Sequence, residues 1–434
     1  MSVCCNQHET CQGEAPGQSG RLTSVEDALS IAEAIVAPPL EVEQLDLQEA
    51  VGGVAAGTVR APRPMPLFNQ SAMDGFAVRS ADLVGMGPWR LPVVGTIAAG
   101  DSPNPGFSTE AAATRIYTGA AVPTDCDAVV MLEHCRDKGN TVVVEVRPDA
   151  GQNVRVRGSD IACNEPLIAA GTRIEPRHVG LLAANGCTSI AVFKRPRVGV
   201  FSTGRELLPT GTPGDRRIHD SNRPMLIALA QCGGAEVVDL GIVDDDFDQT
   251  VRFFREVAGT FDLLVSSGAV SMGARDFVRP AFVEAGGTVH AWRVALKPGK
   301  PILFGTLENK AYLGLPGNPL SAFVGFHLFG QRQVSRLCGE DKPPGELGRA
   351  IAGFSLARQA GRLEIVPARI VTQSKEGVPT VEPIGNGSSG TLHALCQADG
   401  LAVVPAERDS VAPGDVIAFC RFSSHADFLG LELR

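Results

Sequence analysis

Lys297 and Lys300 flank a Pro-Gly turn in "ALKPGKPILFG", a spacing that lets two ammonium groups converge on one anion. Acids form the complementary set: Glu206 in "STGREL", Asp244 to Asp246 after an apolar run, and Asp276 near the end of "VSSGAVSMGARDF". Hard cations take oxygen ligands and phosphates take cations, so carboxylates beside paired lysines describe a Mg²⁺ and phosphate site. Taken singly, each lysine is equally an ordinary solvated charge and each acid an ordinary cap.

In "GLPGNPLSAFVGF", Asn318 stands where its side chain can accept from the first free amides of a helix, with Pro319 in the first turn and Pro316 and Gly317 sharpening the entry. Such a helix end aims N–H groups at an anion, and it is also a plain helix start. The small residues from Val265 to Phe277 suit either a turn or a backbone cradle for a charged group. Asp74, in "NQSAMDGFAV", could simply cap a turn, and its role stays open at this point.

The elements that must position these residues follow from pattern. Beyond about Arg195 the texture is strand, loop, helix: "RVGVF", a helix from about Asn222 closed by Gly233 and Gly234, "AEVVDLGIV", a helix around Val251, Phe254 and Val257, then "FDLLV". Strands alternating with amphipathic helices imply a doubly wound parallel sheet covered on both faces. Ligands of such sheets sit beyond the carboxyl ends of the strands, so the loops after "RVGVF", "DLGIV", "FDLLV" and "YLGLP" should share one rim.

Upstream, Thr23 or Ser24 caps a helix expected over about 25 to 37, ended by Pro38 and Pro39. Short β-rich runs from Leu91 to Val146 read as an inserted β domain, and those of the last ninety or so residues as a C-terminal β domain. The expected division is a tail over 1–20, a linker domain over 21–62 and 149–194, the inserted β domain over 63–148, an α/β domain over 195–338 and a β domain over 339–434.

A chain of 434 residues exceeds what a single core serves. Its formal net charge of −9 argues against nucleic acid or an acidic membrane as partner. No run approaches the roughly 18 to 20 apolar residues of a spanning helix, and no secretory signal is evident, so a cytoplasmic location is expected. Eleven scattered cysteines suit reduced thiols. Cys4, Cys5, His8 and Cys11 could gather around a soft metal, but their polar, terminal setting reads as a disordered tail.

Seven ordered segments, "NQSAMDGFAV", "RIYTGAAVP", "GQNVRVRGSDI", "FSTGREL", "SSGAVSMGARD", "ALKPGKP" and "LPGNPLSA", resemble the molybdopterin molybdenumtransferase family, MoeA and the C-terminal domain of gephyrin. The resemblance runs from about Leu22 to the C-terminus. It implies an enzyme of molybdenum cofactor biosynthesis that takes adenylylated molybdopterin and molybdate, uses Mg²⁺ and releases AMP. It also implies an elongated homodimer, with an upstream molybdopterin adenylyltransferase and recipient molybdoenzymes as partners.

Carried over by position, Asp74, Thr118, Glu206, Asp245, Asp276, Lys297 and Lys300 match the family's active-site residues, with Asp74 and Thr118 acting across the dimer interface. Asp276 and Glu206 are assigned the Mg²⁺, the lysines the pyrophosphate or molybdate charge. Ser202, Thr203, Gly204, Gly268, Ser271, Gly273, Pro298, Pro316, Gly317, Asn318 and Ser321 form the expected pterin-nucleotide contacts.

Several positions depart from the family pattern: Arg205 where an Asp is usual, Pro367 in place of an arginine with Arg369 two residues on, "GSSGT" at Gly387 to Thr391, and Ala269 in place of a second glycine. These keep three alternatives in view: a tungstate-preferring paralogue, one that only binds the pterin, and a gephyrin-like interaction scaffold.

Overall fold

The computed structural model describes residues 22–102, 111–214, 216–268, 277–341, 347–373, 377–385, 388, 390 and 392–422. Within it the chain forms two compact units, residues 43–192 and the remainder. Among the described residues no helix is long and apolar enough to cross a membrane.

The larger unit is built on six strands. These are β1 (Arg197–Thr203), β2 (Glu236–Val243), β3 (Leu263–Ser267), β4 (Thr288–Trp292), and, beyond the short β5 (Leu296–Lys297), β6 (Leu303–Leu307) and β7 (Lys310–Leu315). Their spatial order is β2-β1-β3-β7-β6-β4. The first four of that order run parallel, and β6 and β4 add antiparallel pairings. The sheet is therefore mixed where the alternating pattern predicts parallel strands throughout. The cause is local: Glu308 and Asn309 both adopt positive φ, 49° and 62°, and close a two-residue hairpin between β6 and β7.

Helices α1 (Val25–Ala34), α2 (Asn222–Cys232), α3 (Phe247–Val257), α4 (Val278–Glu284) and α5 (Pro319–Gly325) complete this unit's α/β part. Phe254 of α3 and Phe282 of α4 meet Tyr312 of β7 with ring centroids 5.4 and 4.6 Å apart, which anchors one face of the sheet. Helix α2 covers β1 and β2 and also packs on α5.

Ser24 caps α1, its hydroxyl accepting from Asp27 N at 3.0 Å. The helix groups with the α/β unit rather than with the linker that the sequence pattern suggests. Glu33 pairs with Arg332 at 2.8 Å, and Gln333 donates to Ala32 O at 3.1 Å, contacts between residues 299 and 301 positions apart that no local pattern announces.

The C-terminal part of the same unit is a β-barrel. Strand β8 (Leu363–Gln373) pairs with Pro379–Pro383 on one side and Gly400–Val404 on the other, closing the ring through Gly348–Ala352 and Val416–Arg421. β5 adds to its edge, pairing Lys297 with Glu364 in register.

Residues 43–192 hold a six-stranded sheet in the order Ala128–Met131, Gly75–Val78, Ala113–Ile116, Trp89–Ile97, Thr141–Val144, Cys135–Asp137. Phe76, Val78, Leu91, Val130 and Val142 fill one face. A second cluster gathers Leu47, Ile168, Ile174, Leu182 and Val192 around the Pro176–Ala184 helix.

Candidate functional site

Because β2, β1, β3 and β7 are parallel, their four carboxyl ends open on one side. The loops there touch. Thr203 Oγ1 donates to Asp245 Oδ1 at 2.6 Å, joining the turns after β1 and β2. Asn222, at the start of α2, donates from Nδ2 to Ser267 Oγ and to Gly317 O, both at 2.8 Å, joining those after β3 and β7. Gly268 lies at φ +103°, and a Cβ there would stand 2.3 Å from Thr203 O, so only glycine lets the two backbones approach.

Two adjoining cavities lie at this rim. The larger, about 620 Å³, has Ser202, Thr203, Glu206, Gly268, Gly317 and Asn318 on its wall. The smaller, about 310 Å³, lies toward the barrel and takes Lys297, Pro298, Lys300 and Ser321 from the α/β part with Arg362, Glu364 and Pro367 from β8 and the turn before it. Pro301, Pro316 and Asn318 face both.

Most of the residues expected at the site thus meet, with qualifications. Gly204 carries the turn beneath Glu206. Asp245 is not on either wall among the described residues; its carboxylate holds Thr203 and the Arg205 amide, at 2.6 and 3.2 Å. The Arg205 guanidinium donates to Asp245 O at 3.0 Å, so it serves the loop. Asn318 occupies the cap position of α5, but its side chain makes no capping hydrogen bond, contrary to the sequence expectation. Ser271, Gly273 and Asp276 lie outside the described residues, as do Ala269, Gly387, Ser389, Thr391 and the Cys4 to Cys11 cluster.

The two lysines differ. Lys297 Nζ is 2.8 Å from Glu364 Oε1, whereas Lys300 makes no ion pair among the described residues. Pro367 does face the smaller cavity. Arg369 does not replace the missing guanidinium there, because it stands opposite Glu382 on the neighbouring strand and pairs with it at 3.8 Å.

Sequence reasoning passed over Asp220 and Glu364. Asp220, almost fully buried on the larger cavity's wall, accepts from Ser202 Oγ at 3.1 Å and from Arg223 Nε at 2.9 Å. Its signal was an acid three residues before an arginine at a helix start. Glu364's was a carboxylate inside an otherwise apolar strand.

Asp74 and Thr118 are positioned in the other unit. Gly75–Val78 and Ala113–Ile116 are antiparallel neighbours with Gly75 opposite Ile116, which brings the residues just outside them together. Asp74 Oδ1 accepts from Thr118 N at 2.7 Å and Thr118 Oγ1 at 2.9 Å. These bonds favour the ionised form, the backbone one most, and hold the carboxyl below its ordinary range. A Cβ on Gly75 would fall 1.9 Å from Val130 O, so the residue after Asp74 has to be glycine.

The fold and rim define a class: an α/β domain whose strand ends open on cavities lined by acids and lysines, in a chain that also holds β domains. Residues 23–186 match the MoeA N-terminal region (domain I and II), 199–336 a "Probable molybdopterin binding domain", and 349–422 the MoeA C-terminal region (domain IV). The molybdopterin molybdenumtransferase of Haemophilus influenzae is 34% identical over 390 residues, covering 89% of this chain and 95% of that protein. Molybdopterin molybdenumtransferase 2 of Mycobacterium tuberculosis is 35% identical over 377 residues, covering 85% and 92%. Two solved structures of the Pyrococcus horikoshii MoeA protein, 26% and 24% identical, superpose with TM-scores of 0.77 and 0.80, each over 93% of this chain and 100% of theirs. The chain belongs to the molybdopterin molybdenumtransferase family, transferases of molybdenum cofactor biosynthesis.

Proposed function

We propose that this protein inserts molybdate into adenylylated molybdopterin and releases AMP in a Mg²⁺-dependent reaction. The observation that carries the reading is the pair of adjoining cavities with a shared wall, acids on the larger and lysines on the smaller. The pterin nucleotide fits the larger, where Gly268 and Gly317 let backbone approach a phosphate closely, and a tetrahedral oxyanion fits the smaller beside Lys300, Lys297 and Arg362. Asn318, facing both, orients one substrate toward the other.

Mg²⁺ characteristically takes one or two carboxylates plus substrate phosphates. Glu206, with no ion pair among the described residues, is an oxygen donor of that kind, and Asp276 is assigned beside it by the resemblance. Such an ion would arrive with the phosphates of the nucleotide. When bound, it would supply Lewis-acid polarisation of the phosphoanhydride. Asp220, locked by Arg223 and Ser202, holds the wall in place. The protein acts as a homodimer, Asp74 and Thr118 serving the cavities of a second copy.

Purified protein given adenylylated molybdopterin, molybdate and Mg²⁺ should release AMP, and chelation should stop it. Absence of AMP under conditions that support a verified family enzyme would refute the reading. Pro367 on the oxyanion wall favours one alternative, a paralogue that binds the pterin but handles molybdate poorly. Pterin binding without molybdate-dependent turnover would establish that instead.

A further inference from the structure

The smaller cavity's charged described residues are Lys297, Lys300, Arg362 and one carboxylate, Glu364. An acid on the wall of an oxyanion site should repel the ligand, unless its charge is already spent. It is spent. Glu364 Oε1 is 2.8 Å from Lys297 Nζ, and Oε2 is 3.0 Å from Arg358 Nε, close but out of line for a hydrogen bond. Arg358, its side chain 2% exposed, is itself fastened to the carbonyls of Pro405 and Arg362, so it cannot follow Glu364 outward. The Lys297–Glu364 contact is set by the backbone, because β5 and β8 pair these two residues in register. Lys300 and Arg362 have no ion pair among the described residues.

Resting on the oxyanion reading above, we infer that Glu364 is a positioning and specificity-determining residue. It pins the Lys297 ammonium to the seam between β5 and the barrel and offsets part of its charge. Lys297 then acts as a fixed N–H donor, while Lys300 with Arg362 supplies the net attraction. On the cavity wall three cations face one carboxylate, whose other oxygen faces Arg358, so the net charge is positive and suits an oxyanion that must be held and then given up. Without the carboxylate's charge the cluster would hold the anion too tightly, and Lys297 would be free to wander.

Replacing Glu364 by Gln is the direct test, with steady-state kinetics and calorimetric titration of molybdate. KM and the dissociation constant for molybdate should both fall, on the order of tenfold, with a steeper salt dependence, while kcat drops. A merely structural role would leave anion affinity unchanged or weaken it, and either result overturns the inference. A second measurement needs only the unmodified protein. Acetylation by an N-hydroxysuccinimide ester, followed by mass spectrometry, should label Lys300 faster than Lys297, because the Lys297 ammonium is held against Glu364 and is less free to meet the reagent. Molybdate should protect both. Equal labelling with protection intact defeats the role of Glu364 alone; no protection of either lysine defeats the oxyanion reading beneath it.

Discussion

Asp74 illustrates how one side chain is tuned by its neighbour. Its carboxylate is lowered first by the Thr118 amide and second by the Thr118 hydroxyl, so the two causes separate by mutation. Thr118→Val removes only the hydroxyl. The carboxyl should then titrate at higher pH than in the parent, yet stay below an ordinary aspartate because the larger cause remains. Carbon-detected NMR titration of the Asp74 carboxyl checks this; an unchanged midpoint would show the hydroxyl does not matter. If Asp74 serves in its ionised form, the acid limb of turnover moves up in pH with it.

Among the elements, the helix that starts at Pro319 carries its own pH sensitivity. It continues from α5 through a π-helical segment, Phe326–Gly330, into the Gln331–Leu337 helix, and His327 is buried there, its ring parallel to that of Phe323 at 5.9 Å. Burial pushes the imidazole down to about 4. Between that value and the ordinary 6.5 the unfolded chain binds a proton that the folded one refuses, so stability rises with pH across this window and is lost as pH falls through it. The loss by pH 4 is about 3 kcal/mol. His327→Phe should flatten the dependence of Tm on pH between 6.5 and 4; an undiminished slope would place the sensitivity elsewhere.

For the whole molecule, the proposed homodimer makes a prediction that no single-chain property can. If Asp74 of one copy serves the cavity of another, Asp74→Ala and Lys300→Ala proteins are each inactive alone. Refolded together, they form mixed dimers in which one of the two sites is intact. A statistical mixture should regain about a quarter of the parent activity. No recovery would mean that Asp74 serves its own chain's cavity.

Much of this protein was legible in its residues. Strand and helix periodicity, the caps at Ser24 and Asp246, the Lys297 and Lys300 turn and the loops converging on one rim are all local or follow from a topological rule, and the structure carries each of them. What stayed hidden depends on contacts between distant positions. The in-register pairing of Lys297 with Glu364 distinguishes two lysines that the turn presents as equals. The bond that joins Asp245 to Thr203 links residues 42 positions apart in sequence and 2.6 Å apart in space, which no local pattern announces. Residue type and spacing settle which chemistry is affordable; whether a given charge is free to perform it depends on which partner the folded chain places beside it, and that is a property of long-range packing.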